Sequence, residues 1–185
     1  MMSEKQTRIG KMTNTRSINV YLARTLVFIT FLVSSSIPLL AQGAKSMTPK
    51  QECETLMNEL LPVAEKMLEK YGEFFPYGSV MNSDGSIRAV AYYDGNEHPK
   101  SQDLMDQLTT IYHEYSIKNQ IKASGIVYDA RVISPKTNAK TDAVIISLEH
   151  RDNYSVQVVF PYSIKNKKVV WDDIFAQRGK VDVFK

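Results

Sequence analysis

Residues 143–162 read AVIISLEHRDNYSVQVVFPY, and this stretch has the pattern of two β-strands joined by a tight turn. Its first half is rich in valine and isoleucine, which favour strands. In its second half Tyr154, Val156 and Val158 alternate with the polar residues Ser155 and Gln157, as expected for a strand with one buried face. The Arg-Asp-Asn sequence between the halves is typical of a turn. The stretch therefore predicts an antiparallel hairpin at the centre of the fold.

The predicted sheet extends beyond this hairpin. Residues 126–133 alternate in the same way and residues 169–175 form a further strand, and short polar connections join both to the hairpin. This arrangement favours a four-stranded antiparallel meander. Earlier in the chain, residues 74–81 and 87–93 are two strand-like runs separated by the turn sequence Asn-Ser-Asp-Gly, which predicts a second hairpin.

A helix is predicted before the hairpin at residues 74–93, and the sequence indicates both of its ends. Thr48 is a suitable N-cap, Pro49 suits the first helical position, and Gln51 can complete a capping box by reaching back to the cap. Apolar residues follow at helical spacing until Gly72, which is typical of a helix end. Pro62 interrupts this run, so we expect the helix to bend or divide near that position.

A second helix is predicted after Pro99 and should end near Asn119, with Leu104, Leu108 and Tyr112 on its inner face. The predicted order is α-β-β-α-β-β-β-β. It indicates an α+β domain with an antiparallel sheet of five to six strands and two helices packed on one face. This order resembles the profilin-like and roadblock-like sandwiches, a likeness of fold that implies no activity.

The N-terminal region has the pattern of a secretory signal peptide. Basic residues precede the apolar run Leu26–Val33, and small residues at Ala41 and Gly43 suit cleavage after either one. An uncleaved membrane anchor is the alternative, but the apolar run is short and Pro38 follows it. We therefore expect a periplasmic or secreted protein that contacts the membrane only through its signal peptide before cleavage. Met12 is an alternative start.

Charge argues against a nucleic-acid partner. The signal peptide, residues 1–43, holds five of the 23 basic residues and one of the 20 acidic ones. The predicted single domain at residues 44–185 therefore has 18 basic and 19 acidic side chains, a net charge of −1. It lacks the basic excess that usually neutralises phosphates. Cys53 is the single cysteine, so the chain forms no internal disulfide and depends on its core for stability.

Common metal and cofactor patterns are missing from the sequence. His98, His113 and His150 lie in different predicted elements, without a second ligand at zinc-site spacing. His113 and Glu114 begin a metalloprotease-like pattern, but Ile117 replaces its second histidine. The glycine spacing of phosphate-binding loops is absent as well. We expect no metal, no cofactor and no identifiable catalytic residue.

Four ionisable residues gather at the end of the central hairpin: Glu149, His150, Arg151 and Asp152. One interpretation is acid–base chemistry, in which a neighbouring carboxylate orients the His150 imidazole. A second is partner binding. The third is an ordinary solvated turn, because strand alternation points Glu149 and His150 to opposite faces.

Strand alternation also suggests a binding surface on the sheet. We expect six side chains to face the helices: Tyr128, Ala130, Ile146, Leu148, Val156 and Val158. The opposite face would then carry Asp129, Arg131, Ser147, Glu149, Ser155 and Gln157. An ordinary wet sheet face is one interpretation of this stripe. The other is a protein-binding surface anchored by Arg131 and an aromatic such as Tyr92.

Five short strings resemble those of small bacterial domains of unassigned function, some of which look like immunity-type proteins: Phe75–Gly78, Tyr128–Val132, Thr141–Ala143, Ser147–Asp152 and Phe175–Gly179. The resemblance implies no catalytic residues. We predict an exported, non-enzymatic domain that binds another protein, either as an immunity-like protein or as an accessory of an envelope complex. The alternative is a small periplasmic hydrolase or other enzyme with its site near His150.

Overall fold

The computed structural model describes residues 46–92, 95 and 99–185. The predicted signal peptide and His98 lie outside these residues. Within them the helices and strands are, in chain order, α1 Pro49–Tyr71, β1 Tyr77–Asn82, β2 Ile87–Val90, α2 Ser101–Ile117, β3 Ile121–Ile133, β4 Lys140–His150, β5 Tyr154–Lys165, β6 Lys168–Trp171 and β7 Phe175–Arg178. No helix in the described ranges is long and apolar enough to cross a membrane.

The described strands form one antiparallel sheet in the order β2-β1-β3-β4-β5-β6, with β7 also paired to β5. The predicted α+β class and antiparallel meander are confirmed. The predicted strand at residues 169–175 is in fact two strands, which pair with different halves of β5. Asp172 and Asp173 interrupt the strand, because aspartate is unfavourable in strands and common in turns.

Helix α1 begins and ends as its sequence predicts. Thr48 and Gln51 form the reciprocal capping box, and Gly72 terminates the helix in the left-handed conformation at φ 80°. The backbone N–H of Gly72 donates to the carbonyl oxygen of Leu68. The helix is continuous through Pro62, so of the predicted alternatives, a bend or a division, the division does not occur.

The two helices pack on opposite faces of the sheet, which corrects the expectation that both share one face. Helix α1 packs against the face that contains Val127 and Ile146. Helix α2 packs against the face that contains Val80 and Ile126. The physical reason lies in β3 and β4, where consecutive residues are apolar and buried, so both faces of the central strands need cover.

Two glycines allow this close packing on each face. A Cβ added at Gly125 would lie 2.7 Å from the Cδ1 atom of Leu60 in α1. A Cβ added at Gly78 would lie 2.5 Å from the hydroxyl oxygen of Tyr112 in α2 and would also overlap the carbonyl oxygen of Gly125. The absence of side chains at these positions therefore sets how near each helix lies to β1 and β3.

Candidate functional site

The structure places the predicted hairpin residue His150 in the interior, against α1. Its side chain is 2% exposed, and its Nε2 atom lies 2.8 Å from Oε2 of Glu52. The backbone N–H of Asp152 donates to Nδ1 at 3.0 Å. Because Nδ1 accepts this hydrogen bond, the ring proton lies on Nε2 and is donated to the Glu52 carboxylate. Both ring nitrogens of His150 are thus bonded within the protein.

Glu52 joins His150 to a second partner, Lys122 of β3. The Nζ atom of Lys122 lies 2.5 Å from Oε1 of Glu52, and both side chains are largely buried. Burial by itself raises the pKa of Glu52, but the hydrogen bonds from Lys122 and His150 outweigh that effect and hold its pKa below the ordinary value. The three residues form a buried charge network that ties α1, β3 and β4 together.

Glu149 lies on the other face of the sheet and holds the C-terminal segment. Its Oε2 atom accepts hydrogen bonds from the backbone N–H groups of Asp182 and Val183, both at 3.0 Å. Burial raises the pKa of Glu149, although these N–H groups oppose the shift. The carbonyl oxygen of Val183 in turn accepts a hydrogen bond from the hydroxyl of Ser116 at 2.8 Å. The tail therefore covers part of the face that sequence reasoning left open.

Arg131 and Glu149 do not share a face, which corrects the proposed sheet surface. In the antiparallel register Arg131 is paired with Asp142, and the face that they share is the one that carries His150, not Glu149. Asp142 and Glu149 are also seven residues apart along β4, roughly 24 Å at strand spacing. Arg131 is exposed and bonds Asp142 across 3.1 Å. Because β3 is apolar on both faces, its sequence pattern does not identify the inner face. The predicted alternation of β3 was therefore wrong by one residue, which placed its side chains on the opposite faces.

The remaining predicted site residues do not join Arg131 and Glu149 in one site. Arg151 is exposed in the β4–β5 turn, where its backbone N–H donates to the carbonyl oxygen of Lys122 at 2.9 Å. The carboxylate of Asp152 is exposed and lies 3.8 Å from Nδ1 of His150. Tyr92 follows β2 at the far edge of the sheet, with β1 and β3 between it and β4. The six residues therefore form no single site.

A cleft of about 530 Å³ lies at the end of the domain where α1 stops. Three aromatic rings line it, those of Tyr71, Phe74 and Phe75, and the carboxylates of Glu73 and Asp129 join them. Tyr71 is 64% exposed and Phe75 is 51% exposed. The predicted strand at residues 74–81 included both phenylalanines. The strand instead begins at Tyr77, so both phenylalanines precede it.

Asp129 is fixed in the cleft by a tyrosine beneath it. The hydroxyl of the buried Tyr162 lies 3.2 Å from each carboxylate oxygen of Asp129. Partial desolvation of the carboxyl group raises the pKa of Asp129, and the nearby charge of Asp142 adds to that rise. The Tyr162 hydroxyl orients the carboxylate without neutralising it.

Phe74 is also held in place. Its ring packs edge-on against Tyr77 with 5.7 Å between ring centroids. The hydroxyl of Tyr77 donates to the carbonyl oxygen of Leu60 at 2.8 Å, which anchors this pair to α1. Packing thus already holds Phe74, one residue of the aromatic wall, in place. Little conformational entropy of its side chain would therefore be lost when a ligand bound there.

No protein-family model matches the sequence, and searches of curated proteins and of solved structures gave no match.

Proposed function

We propose that the domain is a non-enzymatic binding module that engages another protein through the cleft at the end of α1. The observation that carries this proposal is the exposed pair of aromatic rings, Tyr71 and Phe75, at the rim of a cleft with a fixed aromatic wall. Exposed apolar patches mark interaction sites, and aromatic residues are enriched as anchors in protein interfaces.

The surroundings of His150 support binding rather than catalysis. A general base needs an accessible nitrogen within hydrogen-bond reach of its substrate. Both nitrogens of His150 are already bonded within the protein, and the side chain is 2% exposed. The Glu52 carboxylate that it contacts is itself largely buried and bonded to Lys122. These contacts fit an imidazole that stabilises the fold.

The predicted export signal indicates the compartment in which the domain would bind its partner. A signal-bearing domain without internal disulfides would meet its partner in the periplasm or outside the cell. The immunity-like and envelope-accessory alternatives both require a protein partner, and both agree with an aromatic anchor site.

Site-specific photocrosslinking in cells tests this proposal. A photoreactive phenylalanine analogue at Phe75 should give a discrete adduct with a second protein, because the ring is exposed at the rim. The same analogue at Ile117 is the matched control, since Ile117 is 63% exposed at the other end of α2. Ile117 lies sixteen helical positions after Ser101, which lines the cleft, a distance of roughly 24 Å along the helix axis. The proposal fails if Phe75 gives no adduct, or if Ile117 gives the same one.

A further inference from the structure

We infer that the cleft binds the cationic side chain of a lysine or arginine in a segment of the partner protein. This inference rests on the proposed function and deepens it by giving the partner's chemistry. The juxtaposition that points to it is a carboxylate, Asp129, set among the rings of Tyr71, Phe74 and Phe75. A carboxylate beside aromatic faces is a typical environment for an ammonium or guanidinium group.

The charge of Asp129 is available to a ligand. The cation closest to it along the strand, Arg131, bonds Asp142 instead, with 3.1 Å between Nε and Oδ1. The partner that Asp129 does have is the Tyr162 hydroxyl, which donates a hydrogen bond but brings no charge. Glu73 adds a second carboxylate to the lining. Both charged residues that line the cleft are therefore acidic, which complements a cation.

The rings can also contact a cation. Within the protein, Nζ of Lys70 lies 4.7 Å from the centroid of the Tyr71 ring, so this ring already contacts an ammonium group on one face. The exposed ring of Phe75 offers further aromatic surface beside it. Each cation–π contact at an exposed site strengthens binding by about two- to five-fold.

The dimensions favour a side chain that belongs to a longer chain. About 530 Å³ falls within the usual range of ligand sites and exceeds what one lysine side chain fills. Tyr71 and Phe75 continue the apolar surface beyond the cleft. Residues that flank the cation in a peptide would cover these rings, whereas a small free amine would leave them in water.

The test is an NMR titration of the full chain with three probes. The first is the peptide acetyl-Gly-Leu-Lys-Leu-Gly-amide, the second is the same peptide with norleucine in place of lysine, and the third is n-butylammonium chloride. We expect the lysine peptide to shift resonances of Tyr71, Phe75 and Asp129 and to bind at least five-fold more tightly than either of the other probes. Equal binding of the norleucine peptide would overturn the cationic specificity. Equal binding of butylammonium would overturn the peptide assignment.

Variants identify the group responsible. Asp129→Asn should weaken binding of the lysine peptide by at least about five-fold, while Asp106→Asn, at an exposed carboxylate on α2, should leave it unchanged. If Asp129→Asn alters the fold by circular dichroism, Tyr71→Leu and Phe75→Leu at exposed positions replace it and should each weaken binding about two-fold or more. Wild-type affinity in these variants would refute the inference.

This titration can fail independently of the photocrosslinking experiment. An adduct from Phe75 combined with equal binding of the lysine and norleucine peptides would keep the binding function and reject the cation. A lysine-specific cleft with no adduct in cells would keep the chemistry and reject the proposed function.

Discussion

Replacement of Glu52 by glutamine removes the centre of the buried charge network while the shape of the side chain is nearly kept. In the native protein the carboxylate accepts from Lys122 at 2.5 Å and from the Nε2–H of His150 at 2.8 Å. Glutamine offers one acceptor oxygen and one NH₂ donor. One of the two native donors must therefore face another donor. His150 has little freedom to change its tautomer, because Nδ1 already accepts from Asp152.

The expected loss of stability follows from these contacts. An unsatisfied buried donor costs about 1–3 kcal/mol. The lost attraction to Lys122 adds about 1 kcal/mol, since the Lys122 side chain is 15% exposed and can turn toward water. We expect Glu52→Gln to lower the free energy of unfolding by about 2–4 kcal/mol.

Urea denaturation followed by circular dichroism measures this loss, with Glu54→Gln as the matched control. Glu54 lies on the same helix, its side chain is 47% exposed, and its pair with Lys50 spans 3.5 Å. Such a surface pair contributes at most about 0.5 kcal/mol. If Glu52→Gln costs no more than Glu54→Gln, the buried network does not stabilise the fold as described.

Three further predictions concern the core, the tail and pH. Leu108→Ala should lower the free energy of unfolding by about 2–5 kcal/mol through lost burial and a cavity, whereas Asp106→Ala on the outer face of α2 should change it by less than about 0.5 kcal/mol; denaturant midpoints decide this. Deletion of residues 183–185 exposes the apolar surface that Val183 covers and removes one N–H donor from Glu149, so the melting temperature should fall by several degrees. The folded-state pKa of Glu52 is lowered, so its contribution is complete above the unfolded pKa and is lost as pH falls through the folded value. Acid unfolding should therefore depend less steeply on pH in Glu52→Gln, and equal slopes would contradict this assignment.

The features that local sequence specifies were predicted well. The ends of α1 follow from Thr48, Gln51 and Gly72, because a capping box and a left-handed glycine involve only neighbouring residues. The buried positions Leu104 and Leu108 of α2 follow from helical spacing for the same reason.

Features that depend on tertiary packing were not predicted. Glu52 and His150 are 98 residues apart in the sequence, and nothing near either residue indicates their contact. The face assignment of β3 failed because Ile126 and Val127 are both buried, which removes the alternation that would identify the inner face. The aromatic residues of the cleft were visible in the sequence, but their exposure depends on where the chain leaves α1.

The pairing of both β6 and β7 with β5 has a consequence for aggregation. A strand as long as β5, Tyr154–Lys165, would offer other molecules a long row of unpaired backbone groups if it were an edge strand of the sheet. The four-residue strands β6 and β7 pair with it instead, and the four-residue β2 is the edge strand on the opposite side. Short edge strands are poor templates for intermolecular strand pairing. Once folded, this sheet offers little backbone for addition of a second molecule.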